Sequence, residues 1–597
     1  MRNDLNLARH ALVVAVVLGL AACGSGGGGT NVKNTPPPPP PPANNGGGGG
    51  GVQTQPGFSD HLSLTDDLGA RAAGYTGAGV TIGFVDTGVN RNHPALAGRV
   101  AANFVHVDAT ANDLSVDDKV GHGTIVATLA AGKAFGQWPG GIAPDARIVS
   151  SRIISDAPPA DDGSGQGNSV ESGQGYGAFF AAIDAELADA GAKIINNSWG
   201  GLYWTQGDVT TEFANAYRDF VVTRGGLIVF ASGNSGADSR YRANPSDNAA
   251  LPSKDNGAAA DLAVGWLTVS ALDTLHPTQL ASYSQQCGVA MDYCLVAPGD
   301  VVFTAATDTA GNPTYWVGSG TSFAAPLVSG AAAVVWSAFP YFNNDLVRQT
   351  LLGTAKDLGA AGVDPVFGHG LLDVGAAVKG PARFDWGDVT VSFAGSSTWS
   401  NTISGTGGLV KNGTGTLVLA QDSTYSGDTR INGGVIELGA GMSGSNFVVG
   451  SAGTLRGSGS IHGNVRNAGH VQASAATGTP LQVGGNYVQE ATGTLDAYIG
   501  RSFAVGGTAT LAGTLNVLGV ATGYTAVAHE TILHANGGVS GTFGTLTSAG
   551  SFLDATVAYD PDDVFLDITR LDVGLAAQSM GLTPASLSGA VRVEQAF

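Results

Sequence analysis

The chain is 597 residues long, with 92 glycines, 12% charged residues and a formal net charge of −20. That length leaves room for two or three domains and at least one large core. Its charge share is about half, and its glycine share about twice, the usual values, which is the texture of an exported, β-rich protein. With no basic block to neutralise phosphates, nucleic acid is excluded as a partner.

Arg2 and Arg9 precede an apolar run from Ala11 to Leu20, too short for a comfortable membrane span, so residues 1–22 read as a signal peptide. Leu20-Ala21-Ala22-Cys23 resembles a bacterial lipobox, which implies cleavage before Cys23 and a lipid on its sulfur. Gly24, not Asp, follows, which by the same resemblance favours the outer membrane. Residues 23–58 include seven consecutive prolines (Pro36–Pro42) and six consecutive glycines (Gly46–Gly51). Such a stretch cannot bury a core and reads as a tether, part stiff polyproline and part coil. Setting Cys23 aside, Cys287 and Cys294 are close enough in sequence to pair in an oxidising compartment, and are expected to fix a surface loop.

Over residues 59–380, short apolar strands alternate with small-residue helices, the pattern of an α/β fold with a parallel sheet and helices on both faces. Val80 to Val85 predicts a buried strand that ends at Asp86-Thr87-Gly88. Ala146 to Ile154, Lys193 to Asn197 and Leu227 to Ala231 predict three more. The third runs into Ser198-Trp199-Gly200 and the fourth into Ser232-Gly233-Asn234. Polar residues thus gather beyond strand carboxyl ends, where open α/β sheets bind ligands. His122 opens a small-residue helix, and Ser322, in Gly320-Thr321-Ser322-Phe323-Ala324-Ala325-Pro326, sits where another begins, with Pro326 tolerated in its first turn. A hydroxyl there lies in a field that favours developing negative charge. Hydrolysis by serine further needs a base, a carboxylate to orient it and donors for the oxyanion, which His122, Asp86 and the Asn234 amide supply in type.

Four motifs in this order, Val85-Asp86-Thr87-Gly88, Gly121-His122-Gly123-Thr124, Ser232-Gly233-Asn234 and Gly320 to Pro326, resemble those of subtilisin-family serine proteases. The resemblance implies Ser322 as nucleophile, His122 as base and then acid, Asp86 as orienter, and Asn234 with the Ser322 N–H as oxyanion donors. It also implies that Ser198, Trp199 and Gly200 bind the substrate backbone and line the first specificity pocket. A competing order exists: Ser322 as a nucleophile elbow followed by Asp364 and His369, as in α/β-hydrolases. That arrangement demands a strong strand before the serine, and Tyr315 to Gly320 is short and glycine-broken. Scattered Asp and Asn show no ordered ligand spacing, so no cofactor is predicted; calcium enters by family analogy only.

Residues 381–570 change to Gly-Thr-Leu and Gly-Gly-Val triplets with alternating apolar residues. The segment Gly408 to Leu438 is echoed at Gly453-Thr454-Leu455, Gly493-Thr494-Leu495 and Gly513-Thr514-Leu515, which predicts a right-handed parallel β-helix over the alternative, a β-sandwich. Lys411-Asn412-Gly413-Thr414-Gly415-Thr416-Leu417 is similar to the repeat of bacterial autotransporter passengers. In that family a membrane barrel follows; here residues 571–597 read as a linker at its start, with no amphipathic strand run after Arg570. The expectation is a lipid-anchored serine endopeptidase at the bacterial surface or released from it, maturing itself or other surface proteins. The rival is an adhesin-like passenger with a vestigial protease domain.

Overall fold

The computed structural model describes residues 54–157, 170–473, 478–521, 527–548, 553–570 and 573–596. The predicted signal peptide, the Cys23 lipidation site and all but the end of the tether lie outside the described residues. The chain folds as two compact units that divide between Val378 and Lys379.

The first unit opens with two short helices, α1 (Asp60–Leu64) and α2 (Asp67–Ala72). Then come β1 (Thr81–Asp86), β2 (Val100–Val105), α3 (His122–Ala131), β3 (Arg147–Arg152), α4 (Tyr176–Asp189), β4 (Ile194–Asn197), α5 (Gly207–Arg218), β5 (Leu227–Ala231), β6 (Trp266–Leu272) and β7 (Cys294–Pro298). A hairpin of β8 (Asp300–Thr304) and β9 (Tyr315–Ser319) leads into α6 (Thr321–Ala338), followed by α7 (Asn344–Thr354). Seven strands form one sheet in the order β2-β3-β1-β4-β5-β6-β7, every neighbour parallel. Strands β4, β5 and β6 are buried at every residue, as a covered parallel sheet requires. The order turns at β1: the chain crosses from β1 to the edge strand β2, returns to β3 between them, and then builds outward through β4 to β7 on the other side. The carboxyl end of β1 is therefore the switch point where such sheets open a crevice, and Asp86 is its last residue.

α6 packs across β4, β5, β6 and β7, and α3 packs against α6. Among the described residues α6 alone is long and apolar enough to cross a membrane, and it is buried in the core from Thr321 to Trp336. Its small residues allow that depth: Gly330 lies where a Cβ would come within 2.7 Å of the Ala130 carbonyl of α3. Two expectations need correction here. Pro326 is the sixth helical residue of α6, beyond the first turn. The Cys287–Cys294 bond is present, but both cysteines are fully buried. They belong to the core because the Asp364–Gly370 segment closes over them: Gly288 N–H donates to the Pro365 carbonyl at 2.7 Å and His369 N–H to that of Cys294 at 2.9 Å.

In the second unit, nearly all pairing is parallel and runs to a strand about one repeat away. Leu417 pairs with Ile436, Ile436 with Leu455, Leu455 with Val471, Val471 with Leu495 and Leu495 with Leu515. All six side chains are fully buried, so the leucines of four Gly-Thr-Leu triplets stack with Ile436 and Val471 into one apolar column. A second column joins Leu409, Thr429, Phe447, Val465, Tyr487 and Ala509. This parallel register is not that of an antiparallel β-sandwich. The ladder ends in an antiparallel set, Val527–Ala535 with Asp563–Arg570 and Leu553–Tyr559, after which come the helices Val573–Ser579 and Pro584–Ala596.

Candidate active site

Asp86 is carried to the switch point by a strand buried from Ile82 onward, and its side chain is fully buried. Its Oδ1 accepts from the Thr87 N–H at 2.7 Å and from His122 Nδ1 at 2.8 Å. A carboxylate acceptor fixes the tautomer: Nδ1 carries the proton and Nε2 is left basic. Among the described residues Nε2 is buried with no hydrogen-bond partner. Catalytic hydrogen bonds are often loose before substrate arrives.

The helix that presents the imidazole is clamped at its start. Asp118 accepts from Gly121 N–H at 2.7 Å, Thr124 N–H at 2.9 Å and Thr124 Oγ1 at 2.6 Å, while Thr87 Oγ1 accepts from Gly123 N–H at 2.8 Å. Residue 123 must be glycine, because a Cβ would stand 2.2 Å from the Gly88 carbonyl oxygen and 3.1 Å from Asp86. Burial disfavours the imidazolium, but the charge of Asp86, its hydrogen bond and the more distant Asp118 outweigh that, and the His122 pKa is raised above 6.5. The sequence motifs do not single out Asp118; an aspartate shortly before a Gly-His helix start is the available signal.

Ser322 is the second residue of α6 and 3% exposed. The ring of the next residue, Phe323, lies 6.0 Å from that of His122. Asn234, in the loop after β5, is tied to the same helix start: its Oδ1 accepts from Thr321 N–H at 2.9 Å and Thr321 Oγ1 at 2.8 Å. Because a backbone N–H must meet an oxygen, the amide orientation is fixed and Nδ2 remains the outward donor. The loop depends on Gly233, at φ 121°, where a Cβ would fall 2.0 Å from Gln285 Oε1.

The segment after β4 is more buried than a pocket lining suggests. Trp199 is 1% exposed, stacked on Phe180 at 5.5 Å and edge-on to Phe230 at 5.2 Å. Ser198 is fully buried, and its hydroxyl donates to the Ser322 carbonyl at 2.8 Å. The side chains of this pair thus pack behind the start of α6 and do not line an open pocket. The competing hydrolase order is not assembled. Asp364 spends both oxygens on N–H groups of its own loop (Ala360, Val366 and Phe367), and the His369 ring lies against the Asp292 carbonyl at 3.3 Å. The strand before Ser322 does form, but in the two-stranded hairpin and outside the main sheet. Among the described residues no three His, Cys, Asp or Glu side chains come together to hold a metal ion.

A parallel α/β domain with a buried Asp–His couple at its switch point, a serine at a helix start and an amide beside it is the arrangement of a serine hydrolase. The Subtilase family profile matches residues 77–370, and the passenger-associated transport repeat matches residues 409–438. The chain is 30% identical to the Neisserial autotransporter lipoprotein NalP of Neisseria meningitidis serogroup B, over 74% of this chain and 46% of that one. It is 28% identical to an extracellular serine protease of Serratia marcescens, covering 84% of this chain and 56% of that one. It is also 30% identical to Mycosin-1 of Mycobacterium tuberculosis, over 51% of this chain and 69% of that one. The chain belongs to the subtilase family. It spans about half the length of the NalP and Serratia relatives.

Proposed function

We propose that this chain is a serine endopeptidase that cleaves peptide bonds through an acyl-enzyme. The observation that carries the reading is the 2.8 Å bond between His122 Nδ1 and the buried Asp86, on a helix packed against the one that bears Ser322. In this reading Ser322 Oγ attacks the scissile carbonyl and His122 Nε2 takes its proton, then gives it to the leaving amine. Asp86 holds the imidazole in tautomer and stabilises the imidazolium. Negative charge on the carbonyl oxygen is met by Asn234 Nδ2 and the Ser322 N–H. The backbone of Ser198, Trp199 and Gly200 pairs with the substrate.

The setting is the bacterial surface. The lipobox resemblance at Cys23, the passenger repeat at residues 409–438 and the likeness to an autotransporter lipoprotein support an outer-membrane anchor with proteins of the same surface as substrates. The stacked leucine column supports reading residues 381–570 as a right-handed parallel β-helix. The complete set at Asp86, His122, Asn234 and Ser322 disfavours a vestigial domain. The test is hydrolysis of casein by the purified chain: turnover by the wild type and none by Ser322→Ala is expected, whereas equal activity of the two would reject the assignment. Release of active enzyme into the medium by Cys23→Ser tests the anchor; retention in the membrane fraction would reject it.

A further inference from the structure

In an α-helix the carbonyl of residue i accepts the N–H of residue i+4. Four residues after Ser322 stands Pro326, which has no N–H to give. The Ser322 carbonyl is therefore deprived of its ordinary helical donor at a buried position, where an unmet acceptor is costly. Ser198 Oγ supplies a donor, at 2.8 Å. Its oxygen accepts from Asn196 Nδ2 at 2.8 Å, and Asn196 Oδ1 accepts from Ser329 Oγ at 2.8 Å. The relay runs in one direction only, since a hydroxyl has a single proton and an amide separates its donor from its acceptor.

Asn196, Ser198 and Ser329 are all fully buried. Ser329 lies about two turns beyond Ser322 on the same face of α6, so the relay fastens that helix to the end of β4 at two levels. From the other side, Phe323 N–H donates to the Gly320 carbonyl at 3.0 Å, so the Ser322–Phe323 peptide plane is held at both of its polar atoms.

We propose that Ser198 is a positioning residue for Ser322, its hydroxyl replacing the helical donor that Pro326 removes and locking the nucleophile's backbone to the end of β4. The inference rests on the protease reading and deepens it: the segment that binds substrate backbone also sets the attack angle of the nucleophile. The sequence signals are indirect, a serine inside the apolar run of α6 and a proline four residues after the nucleophile.

The experiment is fluorophosphonate labelling of the full chain, with the endpoint counting folded sites and the rate reporting their geometry. Ser198→Ala is expected to reach the wild-type endpoint about tenfold more slowly, with a matching fall in kcat and little change in KM. The double variant Ser198→Ala/Pro326→Ala, which restores an N–H at residue 326, is expected to recover most of that rate. A merely structural role would instead lower the endpoint at an unchanged rate. Labelling of Ser198→Ala at the wild-type rate, or slow labelling that Pro326→Ala does not relieve, overturns the proposal. If Ser198→Ala does not fold, the double variant decides: near wild-type labelling upholds the relay, and failure rejects it. A wild-type chain that does not label at all rejects the protease reading, and this inference with it.

Discussion

The unit that ends at Val378 and the unit that begins at Lys379 both rest on parallel β-pairing, but they store information differently. In the first, one seven-stranded sheet brings single residues from distant parts of the chain together: Asp86, His122, Asn234 and Ser322 each occur once, and none can stand in for another. In the second, the same contact is repeated. The column Leu417, Ile436, Leu455, Val471, Leu495 and Leu515 is one contact made five times over. A lesion in the first unit is therefore expected to remove function with little change in fold, and a lesion in the second to lower stability with little change in chemistry.

The largest effect sharpens that contrast. Ser322→Ala and His122→Ala should each lower kcat by ~10⁶, the scale known for subtilisin, and the double variant should be hardly worse because the residues act as a unit. Additive losses in a steady-state peptide assay would show two independent contributions instead. Next comes Asn234→Ala, with a loss of ~10²–10³ in kcat and KM nearly unchanged. A loss confined to KM would make Asn234 a binding residue. Across the chain, Leu455→Ala removes a fully buried side chain from the column and should destabilise the second unit by about 2–5 kcal/mol in denaturant, with peptide hydrolysis intact. Loss of hydrolysis in that variant would show that the two units are energetically coupled.

The smallest expected effect is in pH. His122 must be neutral to accept a proton, and its pKa is raised: burial lowers it, but Asp86 and then Asp118 outweigh that. Activity should therefore rise with pH through a midpoint above 6.5, and Asp118→Asn should move the midpoint down. A wild-type midpoint at or below 6.5 in the kcat/KM profile would mean that burial dominates.

What could be read in advance follows the same division. Asp86, His122, Asn234 and Ser322 were legible because each sits in a short glycine-containing motif, the glycine being demanded by close approach to the Gly88 backbone at Gly123 and by positive φ at Gly233. Strands β1, β3, β4 and β5 were legible as apolar runs ending in polar turns. Strand β2 was not, since Val100–Val105 is half exposed and shows no alternation. Strand β6 is apolar throughout, and a run of that kind cannot be told from a buried helix by period alone. The hydrogen bond from Ser198 to Ser322 spans 124 residues, and no local pattern announces a contact of that range. The burial of the disulfide was hidden for the same reason: the segment that covers it comes some seventy residues later in the chain. In the second unit the triplets announced recurring short strands stacked in parallel, because there each repeat is its neighbour's partner.

The Asp86–His122 couple is read as serving Ser322. This role is tested most directly by treating the full chain with a fluorophosphonate and locating the adduct by peptide mass spectrometry. A single adduct on Ser322 is expected, abolished in His122→Ala and preserved in His369→Ala. An adduct on another serine, or labelling that survives His122→Ala and is lost in His369→Ala, would contradict it.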